Sequence, residues 1–149
     1  MLSAVVWMFV SISGLMAMRP AVAEPNKAGT DVVAGFVAAY NRQDVDAMLD
    51  HCADNVRWLS VVGDSISVEA DGVAALRASM TEHFSAPSPT QSTLLSVSGD
   101  GPMVVAIERA TFADKAFCSA SVYQLEAELI VNVWYYDAYR CDADGEEDP

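Results

Sequence analysis

The second half of the chain is written as four strand-length runs, residues 92–98, 103–112, 117–125 and 129–137. Short polar or glycine-bearing connections join them: Gly99-Asp100-Gly101-Pro102, Ala113-Asp114-Lys115 and Glu126-Ala127-Glu128. Connections this short cannot carry the chain back for parallel pairing, so these strands are expected to be antiparallel neighbours.

The first half reads as helices around one hairpin. Thr30 or Asp31 can cap a helix in which Val32, Val33, Phe36, Val37 and Tyr40 recur at helical spacing, and Asn41-Arg42-Gln43 ends it. Asp44 then caps a second helix carrying Val45, Met48, Leu49 and Cys52, broken at Ala53-Asp54-Asn55. Residues 56–62 and 65–70 read as a hairpin turning at Gly63-Asp64. Asp71-Gly72 opens a third helix with Val73, Leu76, Met80 and Phe84 on one stripe. It stops before Ala86-Pro87-Ser88-Pro89, because proline cannot continue the hydrogen-bond ladder. The predicted order is α-α-β-β-α-β-β-β-β, an α+β domain.

Residues 1–18 carry no charge and are mostly apolar, and Ala21-Val22-Ala23 supplies the small-x-small pattern that a signal peptidase reads. The predicted organisation is a signal peptide at 1–23, a linker at 24–30, one domain at 31–137 and an acidic disordered tail at 138–149. The expected location is secreted or periplasmic, with no stable membrane span after cleavage. The absence of Lys or Arg before the apolar run, with Arg19 after it, keeps an uncleaved N-terminal membrane anchor as the alternative.

A net charge of −13, from 21 Asp and Glu against 8 Lys and Arg, repels phosphate backbones and argues against nucleic-acid binding. Three cysteines and two distant histidines make no zinc pattern, so no metal is expected. No Gly-rich phosphate loop, GxSxG elbow or HExxH pair occurs, and no cofactor is expected. Cys52 reads as a small buried hydrophobe, and Cys118 with Cys141 is the one pair considered for a disulfide.

The element order resembles the SnoaL-like branch of the nuclear transport factor 2-like superfamily, and so does a set of fragments. These are Phe36-Val37-Ala38-Ala39-Tyr40-Asn41, Asp44-Val45-Asp46 with Leu49, Ala53-Asp54-Asn55-Val56 with Trp58, Gly72, Val122-Tyr123-Gln124-Leu125, Ile130 and Trp134. The resemblance implies a curved antiparallel sheet forming a cone, closed by three helices over an apolar pocket, with the outer sheet face often making a dimer. Relatives include ketosteroid isomerase, limonene epoxide hydrolase and polyketide cyclases, so fold alone does not decide function.

The isomerase pattern fails residue by residue: its tyrosine falls at Phe36, its aspartate base at Ser60 and its second acid at Ser121. In the epoxide hydrolase pattern the arginine matches Arg109, but the two aspartates fall at Thr111 and near Tyr135. On that alignment the pocket lining is expected to be Phe36, Tyr40, Trp58, Ser60, Arg109, Thr111, Ser121, Tyr123 and Tyr135, a surface suited to a flat or apolar small molecule. An aromatic core without a ligand is the competing reading.

Arg109, in the middle of an apolar strand, needs a carboxylate or a ligand anion, and Glu108 beside it points to the opposite face. Asp64 and Glu69, flanking the first hairpin, are with Arg109 the candidates for catalysis, and an enzyme would have to use one of these two acids or Glu108; the bland reading of Asp64 and Glu69 is surface charge. His83 and His51 read as solvated helix-end partners. On the last strand Val131, Val133 and Tyr135 alternate with Ile130, Asn132, Trp134 and Tyr136, leaving both faces apolar or aromatic. A second layer on the outer face, from another copy of the chain, is therefore expected. The chain is expected to be an exported small-molecule binder; an isomerase, cyclase or hydrolase, or a dimeric interaction module, are the alternatives.

Overall fold

The computed structural model describes residues 27–112 and 115–140. Helices α1 (Lys27–Asn41), α2 (Val45–Leu49) and α3 (Val73–Phe84) accompany strands β1 (Cys52–Val62), β2 (Ser65–Asp71), β3 (Gln91–Asp100), β4 (Met103–Phe112), β5 (Lys115–Glu126) and β6 (Leu129–Arg140). The expected α-α-β-β-α-β-β-β-β order is present.

The strands form one curled, unclosed sheet ordered β2-β1-β6-β5-β4-β3. Every pair is antiparallel except β1 and β6, which run parallel, with Trp58 beside Val133 and Ser60 beside Tyr135. That exception follows from topology: the chain leaves the first hairpin through α3 and returns only with its last strand. Register shifts at Trp58/Leu59, Leu94/Ser96, Cys118/Ala120 and Gln124/Leu125 bend the sheet.

The helices fill the concave side. Val33, Phe36 and Val37 of α1, Met48 and Leu49 of α2 and Leu76 of α3 pack with Val56, Ala70, Val104, Ala106, Tyr123, Ile130 and Val133 from the sheet. Burying this surface at about 25 cal/mol per Å² is the main stabilisation of the fold.

Some boundaries differ from those read in the sequence. Helix α1 already runs from Lys27, so Thr30 and Asp31 lie inside it and do not cap it, and part of the expected linker is helical. Asp44 does cap α2, its Oδ1 accepting from the Ala47 amide at 3.0 Å. Helix α2 stops at Leu49, and Cys52 begins β1 instead of ending the helix. Its position on the apolar stripe misled, because a strand starting there keeps the thiol in the same core. Strand β6 continues to Arg140, beyond the predicted domain end at 137.

Cys52 is free and buried, its Sγ donating to Met48 O at 3.7 Å; burial pushes the thiol up to about 12. Cys118 is disulfide-bonded; Cys141 lies outside the described residues. The expected signal peptide and the acidic segment from 141 onward also lie outside them. Among the described residues no helix is long and apolar enough to cross a membrane.

Candidate functional site

The concave sheet face and the helices leave a cavity of about 270 Å³. Its walls come from α1 (Phe36, Val37, Tyr40), β1 (Trp58), α3 (Met80, His83), the α3–β3 connection (Thr90), β3 (Ser92), β4 (Glu108, Ala110), β5 (Ser119, Tyr123) and β6 (Tyr135). Phe36 joins the aromatic parts: it stacks on Trp58 with ring centroids 6.0 Å apart and meets the edge of Tyr123 at 6.1 Å.

The polar wall centres on Glu108, whose residue is 8% exposed. Its Oε1 accepts from the Tyr123 hydroxyl at 2.8 Å and its Oε2 from the Ser92 hydroxyl at 2.7 Å. Two hydroxyl donors on one carboxyl suit its acceptor-only, ionised form. Burial, reinforced by the charge of Glu108, raises Tyr123 well above the usual phenol range, so Tyr123 keeps its proton and stays a donor. Ser92 is held in turn from α1: Asn41 Nδ2 donates to Ser92 O at 2.6 Å and Asn41 Oδ1 accepts from Ser92 N at 2.8 Å. The end of one helix thus fixes the strand that orients the carboxylate.

On the other side Tyr40 and His83 are paired, hydroxyl to Nε2 at 2.8 Å, with the rings stacked at 5.7 Å. Burial pushes Tyr40 up to about 12. Ser119 lies directly across the β4–β5 ladder from Glu108; its Oγ is buried and has no hydrogen-bond partner.

Of the residues expected from the sequence, Phe36, Tyr40, Trp58, Tyr123 and Tyr135 line the cavity. Ser121 shares their face, but it is fully buried beside Tyr123 and does not reach the opening. Ser60 is paired with Tyr135 and lies off the lining. Arg109 and Thr111 are corrected outright. Because Glu108 and Ala110 face the cavity, their neighbours alternate to the convex side, where Arg109 pairs with Cys118 in register. Glu108 and Arg109 do face opposite ways, but the inside and outside were exchanged.

Asp64 and Glu69 are exposed on the β1–β2 hairpin, bonded to the hydroxyls of Ser65 and Ser67, and neither lines the cavity. His83, read as solvated, lines it instead. A signal was available for two of the residues missed. His83 follows Leu76 and Met80 at helical spacing, and Ser119 continues the two-residue period of Ser121 and Tyr123. The site therefore combines an aromatic chamber with a carboxylate, an imidazole and three phenols, all groups able to hold or move protons.

The family model described as the SnoaL-like domain matches residues 33–145. No curated protein matches the chain. Among solved structures it is similar to a proposed ketosteroid isomerase from Kribbella flavida DSM 17836, with TM-score 0.66 and 16% identity over 82% of this chain and 83% of that one. An NTF-2 like protein of unknown function from Burkholderia xenovorans LB400 follows at TM-score 0.65 and 14% identity, over 78% and 87% of the two chains. An LEH-like epoxide hydrolase from M. tuberculosis has TM-score 0.63 and 15% identity over 74% and 82%. At these identities the likeness shows the fold.

Proposed function

We propose that this chain, which belongs to the SnoaL-like domain family, binds a small apolar or aromatic molecule in its cavity. The observation that carries this reading is the cavity itself: about 270 Å³ bounded by aromatic faces and by the Glu108–Tyr123–Ser92 hydrogen bonds. Open apolar volume beside a few convergent polar groups is the usual form of a ligand site. An interaction module with a filled cone would need no such space. Saturable NMR shift changes at the Trp58 indole and the Tyr123 amide, on titration with small ring compounds, are the test; a screen in which neither signal moves overturns the reading.

A second reading, a proton-transferring isomerase, cyclase or hydrolase, is favoured by the presence of Glu108 and His83 in one chamber. There Glu108 would exchange the proton, and Tyr123 and Tyr40 would orient the substrate; Asp64 and Glu69 have no part in it. Loss of turnover in Glu108→Gln, with binding retained, tests it.

The protein is further proposed to be exported with cleavage after Ala23, a reading supported by the N-terminal sequence and by a disulfide at Cys118. It is also proposed to dimerise through its convex sheet face. Val68, Leu59, Trp134, Val122 and Val105 are successive register partners across five strands there, and Val68 and Val105 are 49% and 43% exposed.

A further inference from the structure

We propose that the molecule held in the cavity is a protonated amine with an aromatic or alicyclic body. This deepens the ligand-binding reading above and rests on it. Three independent features converge on a cation.

The first is a charge without a counter-charge. Glu108 is buried, and among the described residues its oxygens are met only by the neutral hydroxyls of Tyr123 and Ser92. Among the described residues the ion pairs are Arg57–Asp71 and Arg77–Asp46, neither at the cavity, and no Lys or Arg lines it. Arg109, the nearest guanidinium in sequence, is carried to the other face of β4 by the strand's alternation. A buried carboxylate in that situation is best compensated by a cation brought in from outside.

The second is an acceptor left open beside it. Ser119 Oγ is buried without a partner and is the direct cross-strand neighbour of Glu108. Such pairs place their Cβ atoms about 5 Å apart, so one ammonium group can donate to the carboxylate and to the serine oxygen together. The third is the surrounding wall. Trp58, Phe36 and Tyr40 bound the same cavity, and aromatic faces attract a cation that has lost its water. A net charge of −13 adds a long-range field that gathers cations and repels anions.

The test uses three probes of one shape on the full-length protein: 2-phenylethylamine, 2-phenylethanol and phenylacetate. Affinity is read from NMR shifts of the Trp58 indole and the Ser119 amide. The expected order is amine, then alcohol, then carboxylate, with the amine about tenfold tighter than the alcohol. In Glu108→Gln, which keeps the side chain's size and an acceptor for Tyr123, the ratio of amine to alcohol affinity should fall to about one. If the alcohol binds the wild-type protein as tightly as the amine, the charge preference is overturned and the ligand cavity stands. Binding of none of the three at this site overturns both. The comparison within the wild-type protein holds even if Glu108→Gln does not fold.

Discussion

Inside the cone, Tyr123 donates its hydroxyl proton to Glu108 Oε1 at 2.8 Å, across two adjacent strands and with both side chains buried. The bond ties a fully buried phenol of the core to the one carboxylate that lines the cavity among the described residues. Tyr123→Phe leaves the ring packing intact and strips Glu108 of one of its two donors. The expected cost is about 1–3 kcal/mol of stability, read by urea denaturation. A loss below about 0.5 kcal/mol would mean that water already serves the carboxylate.

Three groups share one alkaline response. Tyr40 and Cys52 are each pushed up to about 12 by burial, and Tyr123 is raised in the same direction by burial and by Glu108. The folded state therefore holds protons that the unfolded chain releases from about pH 9 to 10 upward. Their contribution to stability is complete below that range and is lost as pH rises toward 12. Thermal melting should be insensitive to these groups near neutrality and fall steeply above pH 9 to 10; Cys52→Ala should lessen the fall. A melting temperature that holds flat to pH 12 contradicts these burials.

Arg109→Met tests the orientation of β4. Because the guanidinium lies on the convex side with its Nε buried and unpartnered, an apolar chain of similar length should leave ligand binding unchanged and shift stability by no more than about 1 kcal/mol. Loss of binding in that variant would return Arg109 to the pocket.

The contrast between Arg109 and Glu108 marks where the sequence stops being legible. Helical spacing identified α1 and α3, and glycine and proline placed most turns, because those signals are local. The strand that carries the carboxylate alternates Val104, Ala106, Glu108, Ala110 with Met103, Val105, Ile107, Arg109. Both sets are largely apolar, since one faces the core and the other the convex row, so a two-residue period cannot say which is inside. Family likeness broke the tie wrongly by matching Arg109 to another enzyme's arginine. On β5 the two-residue period places Ser119, Ser121 and Tyr123 on one face, because the polar and aromatic residues there differ from their neighbours.

Gly35 shows the same sensitivity to contacts far apart in sequence. A Cβ there would lie 2.6 Å from His51 Cε1, so an alanine at 35 requires the His51 ring to move away from α1. Alanine in mid-helix otherwise contributes about 0.5–1 kcal/mol. Gly35→Ala should stabilise the His51→Ala protein by that amount and give less, or a loss, with His51 present; equal effects in the two backgrounds would rule out the contact. Chemical denaturation of the four proteins in the cycle measures it.

The convex row predicts a dimer in solution. Val105→Lys places a charge at the exposed β4 end of that row and should halve the mass measured by light scattering without changing the melting temperature of the monomer core. A wild-type protein that is already monomeric at high micromolar concentration contradicts the proposal.

The central claim is that the cone holds a small molecule, and NMR of the purified protein against a library of small ring compounds tests it most directly. The account predicts saturable shifts that cluster on Trp58, Tyr123, Ser119 and Thr90, with amines prominent among the binders. A library that moves none of these signals, or moves only those of Val105 and Tyr136 on the convex face, contradicts it.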